Sequence, residues 1–193
     1  MKSGFLRRTL SALFVATMVF VLMEQSALGQ KKKLTIRAIA RGTSTQLGKL
    51  INVDIYINQF SPKEEQAALL EAFQSNGSEG LANALDKLPA KGRISLTGTV
   101  GYDLNYIKLF QMPDGNRMIR FVTDRPVRFG EVWGSTRSRD YDITVGEIII
   151  PKKEKDAKGT LLPAVRVRLD KKGDIELESY QFPWELTNMK IYR

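Results

Sequence analysis

Val165-Arg166-Val167-Arg168-Leu169-Asp170-Lys171-Lys172-Gly173-Asp174-Ile175-Glu176-Leu177-Glu178 alternates apolar and charged residues on both sides of a short polar turn. A period of two is that of a strand with one covered face. If Lys171-Lys172-Gly173 is a three-residue loop with glycine in the left-handed region, Leu169 faces Ile175 and Val167 faces Leu177. The same register sets Arg168 opposite Glu176 and Arg166 opposite Glu178. These arginines therefore read as sheet neighbours, each exposed pair contributing about 0.2–1 kcal/mol, and not as a basic ligand patch. An antiparallel hairpin with that much patterning makes the second half of the chain a sheet.

Outward from this hairpin the chain continues in the same style. Arg93 to Val100, Asn105 to Gln111, Arg117 to Val122, Tyr141 to Ile150, Leu161 to Leu169, Ile175 to Phe182 and Leu186 to Tyr192 read as strands, with Pro113-Asp114-Gly115-Asn116 as a turn and a meander as the implied order. Near the start, residues 34–41 and 51–58 alternate cleanly and are expected to pair as a hairpin. Between these regions Ser61-Pro62-Lys63-Glu64 reads as a capping box with proline at the first helical position. The helix it opens runs to about Ser75 on Leu69, Leu70 and Phe73. Asn76-Gly77 ends it, and Ser78 caps a second helix on Leu81, Ala84, Leu85 and Leu88. The expected fold is α+β: an N-terminal β-hairpin, two consecutive helices, then a mainly antiparallel sheet or partly closed barrel of about seven strands.

The first 29 residues read differently. Lys2, Arg7 and Arg8 precede an apolar run from Leu10 to Met23, and Ala27-Leu28-Gly29 supplies small residues for a cleavage site. That is the pattern of a secretory signal peptide, with an apolar core shorter than the ~20 residues of a spanning helix. Gln30-Lys31-Lys32-Lys33 then forms a basic start, and 34–193 a single domain. The expected location is secreted or periplasmic, with no integral membrane segment after cleavage.

Composition narrows the chemistry. The chain has 30 basic and 21 acidic residues for a net charge of +9, no cysteine and no histidine. Without cysteine there is no disulfide or thiol nucleophile, and without histidine there is no imidazole base, no Ser-His-Asp triad and few routes to a zinc site. The positive charge is spread along the chain with no helix-borne cluster, which argues against nucleic acid. Lys31 to Lys33 with Lys152, Lys153, Lys155 and Lys158 would favour an anionic ligand or protein of the cell envelope.

The densest polar stretch holds the candidate site. Asp124, Arg125, Glu131, Arg137, Arg139 and Asp140 are interleaved with Phe129, Trp133 and Tyr141 in what reads as a long loop. Arginine forks beside aromatic rings suit an anionic or sugar ligand; the same charges could instead pair with one another and pin the loop to the sheet. Trp184 reads as a core or lid residue, and Trp133 as a ligand or partner contact. The expected function is a non-catalytic binding or structural module using this loop and no cofactor. The alternative is a carboxylate-dependent hydrolase or metal-dependent enzyme on Glu131, Asp140 and Asp142, since residues at i and i+2 of a strand share one face.

Thr123-Asp124-Arg125-Pro126-Val127, Phe129-Gly130-Glu131, Arg137-Ser138-Arg139-Asp140-Tyr141 and Glu147-Ile148-Ile149-Ile150 resemble the core of a group of uncharacterised exported bacterial proteins. Upstream, Leu69-Leu70-Glu71-Ala72-Phe73 through Lys91-Gly92-Arg93-Ile94 is similar to the helical segment before the sheet in that group. The likeness implies the architecture and export, and adds no reaction. Asp140-Tyr141-Asp142-Ile143 stands where the group's pattern reads Asp-Tyr-Pro-Phe, so the turn geometry there is not carried over.

Overall fold

Alternation of apolar and polar residues produces the first two strands, β1 (Leu34–Arg41) and β2 (Leu50–Ile57), in a computed structural model that describes residues 33–128, 141–170 and 173–193. They pair antiparallel from Leu34 against Ile57 to Arg41 against Leu50. The helical region, α1 (Lys63–Asp86), follows. Then come β3 (Gly92–Leu96), β4 (Tyr102–Leu104), β5 (Tyr106–Gln111), β6 (Arg117–Val122), β7 (Ile143–Ile150), β8 (Lys158–Leu169), β9 (Ile175–Ser179) and β10 (Trp184–Tyr192).

All ten strands belong to one antiparallel sheet ordered β4-β3-β2-β1-β10-β8-β7-β6-β5, with β9 added to β8. The two ends of that order are joined by the chain itself, because only Asn105 separates β4 from β5. There the Lys91 N–H donates to the Leu104 carbonyl (2.7 Å) and the Asn105 N–H to the Val122 carbonyl (3.1 Å). The sheet therefore curls into a nearly closed nine-strand barrel. Closure removes most of the free edges an open sheet of this size would present.

This corrects the α+β expectation. Among the described residues the fold is mainly β, with one α-helical element instead of two consecutive helices, and ten strands instead of a hairpin plus about seven. Tyr102–Leu104 had no signal of its own, and the expected strand from Arg93 stops at Leu96, where Thr99 turns the chain by bonding the Leu96 amide and carbonyl. The helical region is interrupted at the predicted Asn76-Gly77 by two residues outside helical geometry, Asn76 (φ −135°, ψ 20°) and Gly77 (φ 61°, ψ −147°), and resumes directly after them. Gly77 takes a conformation that a side chain would strain. Neither predicted cap is used as such. The Ser61 hydroxyl accepts the Ile107 amide (3.2 Å), tying the helix start to β5, and the Ser78 hydroxyl accepts the Val167 amide (3.2 Å), tying the bend to β8.

The barrel interior is filled. Ile36, Ile55, Ile94, Ile119, Phe121, Ile148, Trp184 and Leu186 are all buried in one cluster, which places Trp184 in the core. Gly146 stands directly across from Phe121, and the ring occupies the space a side chain at 146 would need. A second cluster lies outside the barrel, where Leu69, Phe73 and Leu85 of α1 cover Ile143, Val145, Val165 and Val167. Each such buried side chain contributes about 1.5–3 kcal/mol, so β7 and β8 carry apolar residues on both faces.

Candidate functional site

The described part of the predicted loop is pinned to the barrel. The fully buried Thr144 hydroxyl accepts the Val127 amide (2.7 Å) and donates to the Pro163 carbonyl (2.5 Å), while the Thr123 hydroxyl accepts the Thr144 amide (2.9 Å). Val127 is buried as a plug between them. Asp124 and Arg125 bond each other, and Arg125 also reaches Asp86 of α1 at 3.7 Å. Burial would raise the Asp124 carboxyl, but the hydrogen bonds and charge of Arg125 outweigh it and hold the group below its ordinary range.

Tyr141 donates to a Glu178 carboxylate oxygen (3.1 Å), meets Tyr180 edge-on at 5.5 Å, and lies 5.8 Å from the Arg166 guanidinium. Burial, followed by the Glu178 hydrogen bond, raises its pKa. Asp124, Tyr141 and Asp142 line one small cavity of about 300 Å³ with Glu79 and Arg128. Glu131, Trp133, Arg137, Arg139 and Asp140 lie outside the described residues. So do two of the three acids of the metal alternative. Among the described residues no cluster of three or more acidic side chains is gathered as metal ligands. No helix among them is long and apolar enough to cross a membrane.

The β8–β9 hairpin adopts its predicted register, Leu169 against Ile175, Arg168 against Glu176, Val167 against Leu177 and Arg166 against Glu178. The ion pair runs diagonally, from Arg168 Nε to Glu178 at 2.7 Å. Its apolar face is covered by α1 at Val165 and Val167 and is open toward the turn. Leu169, Ile175 and Leu177 are 56%, 59% and 44% exposed, and Leu70 of α1, facing the same region, is 47% exposed.

These residues border a groove of about 770 Å³ between α1 and the outer face of β5 to β9. Leu69, Leu70 and Phe73 form one wall; Tyr106, Phe110, Val122, Val145, Leu162 and Val167 form the floor; Ile175 and Leu177 form the far lip. One end is polar. Arg120 bonds Glu147 (2.7 Å) and lies 5.6 Å from the Phe110 ring, with Thr160 next to Glu147 in register. At the other side of the helix start, Lys91 pairs with Glu65 at 2.7 Å with side chains only 5% and 17% exposed. Burial, then the Glu65 charge, raises the Tyr106 pKa.

Reading the chain alone misses this groove, since its walls come from residues more than 100 positions apart. The available signal was β7, where Ile143 and Val145 fall on one face and Ile148 and Ile150 on the other, which implies cover on both faces. Comparison with protein-family models, with curated proteins and with solved structures finds no match for this chain.

Proposed function

We propose that the protein is an exported, non-catalytic binding module whose outer groove holds an apolar segment of a partner polypeptide. The observation that carries this reading is the placement of apolar surface. The barrel interior is packed with its own side chains, whereas the groove leaves Leu70, Ile175 and Leu177 open to solvent beside a concave apolar floor. Exposed apolar surface of that extent costs solubility unless a partner covers it. It also continues beyond the concavity onto the ribbon, which suits a chain-like partner better than a small molecule that needs enclosure. Export is supported by residues 1–29, and the lack of cysteine in the whole chain fits a domain stabilised by packing alone.

A neutral solvatochromic dye, Nile red, tests the groove. Its emission should shift to the blue and saturate on titration with folded protein, and Leu70→Asp should remove most of that response with little change in melting temperature, because Leu70 is half exposed. A response that Leu70→Asp and Phe73→Ser both leave intact refutes the assignment.

A further inference from the structure

Beyond the end of β7, β8 and β9 continue as a two-stranded ribbon. The Asp170 amide donates to the Asp174 carbonyl (2.8 Å) at one end and the Tyr180 amide to the Ala164 carbonyl (2.9 Å) at the other. In an antiparallel ladder such pairs alternate with pairs whose backbone groups point away from the partner strand. Counting in twos, Ile175 and Leu177 direct their amides and carbonyls away from β8. Two of the outward groups of β8 are occupied: Ser78 accepts the Val167 amide, and the Val165 carbonyl accepts the Asp142 amide (3.1 Å). Those of β9 have no partner among the described residues.

The side chains of this edge define what fits beside it. Ile175 and Leu177 extend the apolar lip of the groove. On the opposite face stand Glu176 and Glu178, with the arginines of the ribbon one strand further in. Because Arg168 reaches diagonally to Glu178, Glu176 has no ion-pair partner among the described residues. A second copy of the chain is a poor occupant. Antiparallel pairing centred on Leu177 would set Glu176 against Glu178 of the other copy, and like charges directly opposite are destabilising.

We infer that β9 accepts, as an added antiparallel strand, an extended polypeptide segment alternating apolar and basic residues. This rests on the groove reading and names its partner. The apolar side chains of the added strand lie beside Ile175 and Leu177 and prolong the groove floor; its lysines or arginines stand across from Glu176 and Glu178. Backbone hydrogen bonds to residues 175 and 177 provide attachment, and the alternation provides selectivity. The net charge of +9 does not oppose this at contact range, since charges more than about 8–10 Å away are largely screened at physiological salt.

A fluorescent ten-residue peptide alternating valine and lysine is the probe, with a valine-glutamate peptide and a serine-lysine peptide as controls. The valine-lysine peptide should bind at least tenfold tighter than either control and slow amide exchange at Ile175 and Leu177. Leu177→Pro removes an outward amide without removing a bond to β8, so it should weaken binding at least tenfold, whereas Leu177→Val should not. Ile175→Pro serves the same purpose if Leu177→Pro unfolds the ribbon. Equal binding of the valine-glutamate peptide, or binding unchanged in both proline variants with no new amide protection, overturns the inference. If Leu70→Asp abolishes binding while both proline variants bind normally, strand addition fails and the groove stands. Loss in the proline variants with none in Leu70→Asp supports strand addition and removes the groove from the account.

Discussion

Gly146→Ala should destabilise the barrel through a single contact. A Cβ at this position would lie 2.0 Å from Phe121 Cζ, with two further ring atoms at 2.3 and 2.6 Å. Ordinary contact begins near 3.4 Å, so the ring must retreat by roughly 1.4 Å. Phe121 is fully buried and surrounded by the interior cluster, which leaves it little room. Overpacking of this kind costs about 1–3 kcal/mol. Replacing glycine restricts the unfolded chain and returns about 0.4–1 kcal/mol. The net loss should be about 1–2 kcal/mol, or a fall of about 2–8 °C in melting temperature for a domain of this size. Urea unfolding monitored by tryptophan fluorescence measures it, since Trp184 sits in the same interior. Phe121→Leu supplies the missing room, so in that background Gly146→Ala should cost less than ~0.5 kcal/mol, a coupling of at least ~0.5 kcal/mol between the two positions. Additive effects, or a neutral Gly146→Ala, would show that the interior is not filled as described and would reopen it as a ligand cavity.

Lys91→Met should cost about 3–5 kcal/mol, because it leaves the Glu65 carboxylate buried without its cation. The double variant Lys91→Met with Glu65→Leu should recover most of that loss in a melting experiment; a single variant as stable as the double contradicts a buried pair. Asp124 makes stability depend on acid. Its folded-state pKa is depressed below the ordinary 3.8, so its contribution is complete above that value and is lost as pH falls through the folded one. Asp124→Asn should therefore lower the urea midpoint at pH 7, and the gap to the parent protein should close toward pH 2. A gap of constant size across that range would remove the Asp124–Arg125 pair as its cause.

The hairpin from Val165 to Glu178 was legible in full register because two local facts suffice, a period of two and a glycine at φ 85° in the turn. The β1–β2 hairpin was legible for the first of those reasons. Ser61 and Ser78 show the limit. Both have the sequence context of helix caps, yet their hydroxyls bond amides 46 and 89 positions away, and no local pattern reveals a competitor at that distance. At Asp124 and Arg125 the sequence left two readings open, ligand groups or a pair that pins the loop, and only the structure shows them bonded to each other with Asp86 and the buried Thr123 and Thr144 nearby.

Local periodicity by itself determined most of the strands and where the helical region bends, and composition that cysteine and histidine chemistry is absent. Only the tertiary structure decided that β4 and β5 join the two ends of the sheet into a barrel, that the interior is full, and that Leu70, Ile175 and Leu177 meet around an open groove. Strand pattern is encoded in neighbours two residues apart, whereas closure and cover are set by which faces meet across the whole chain.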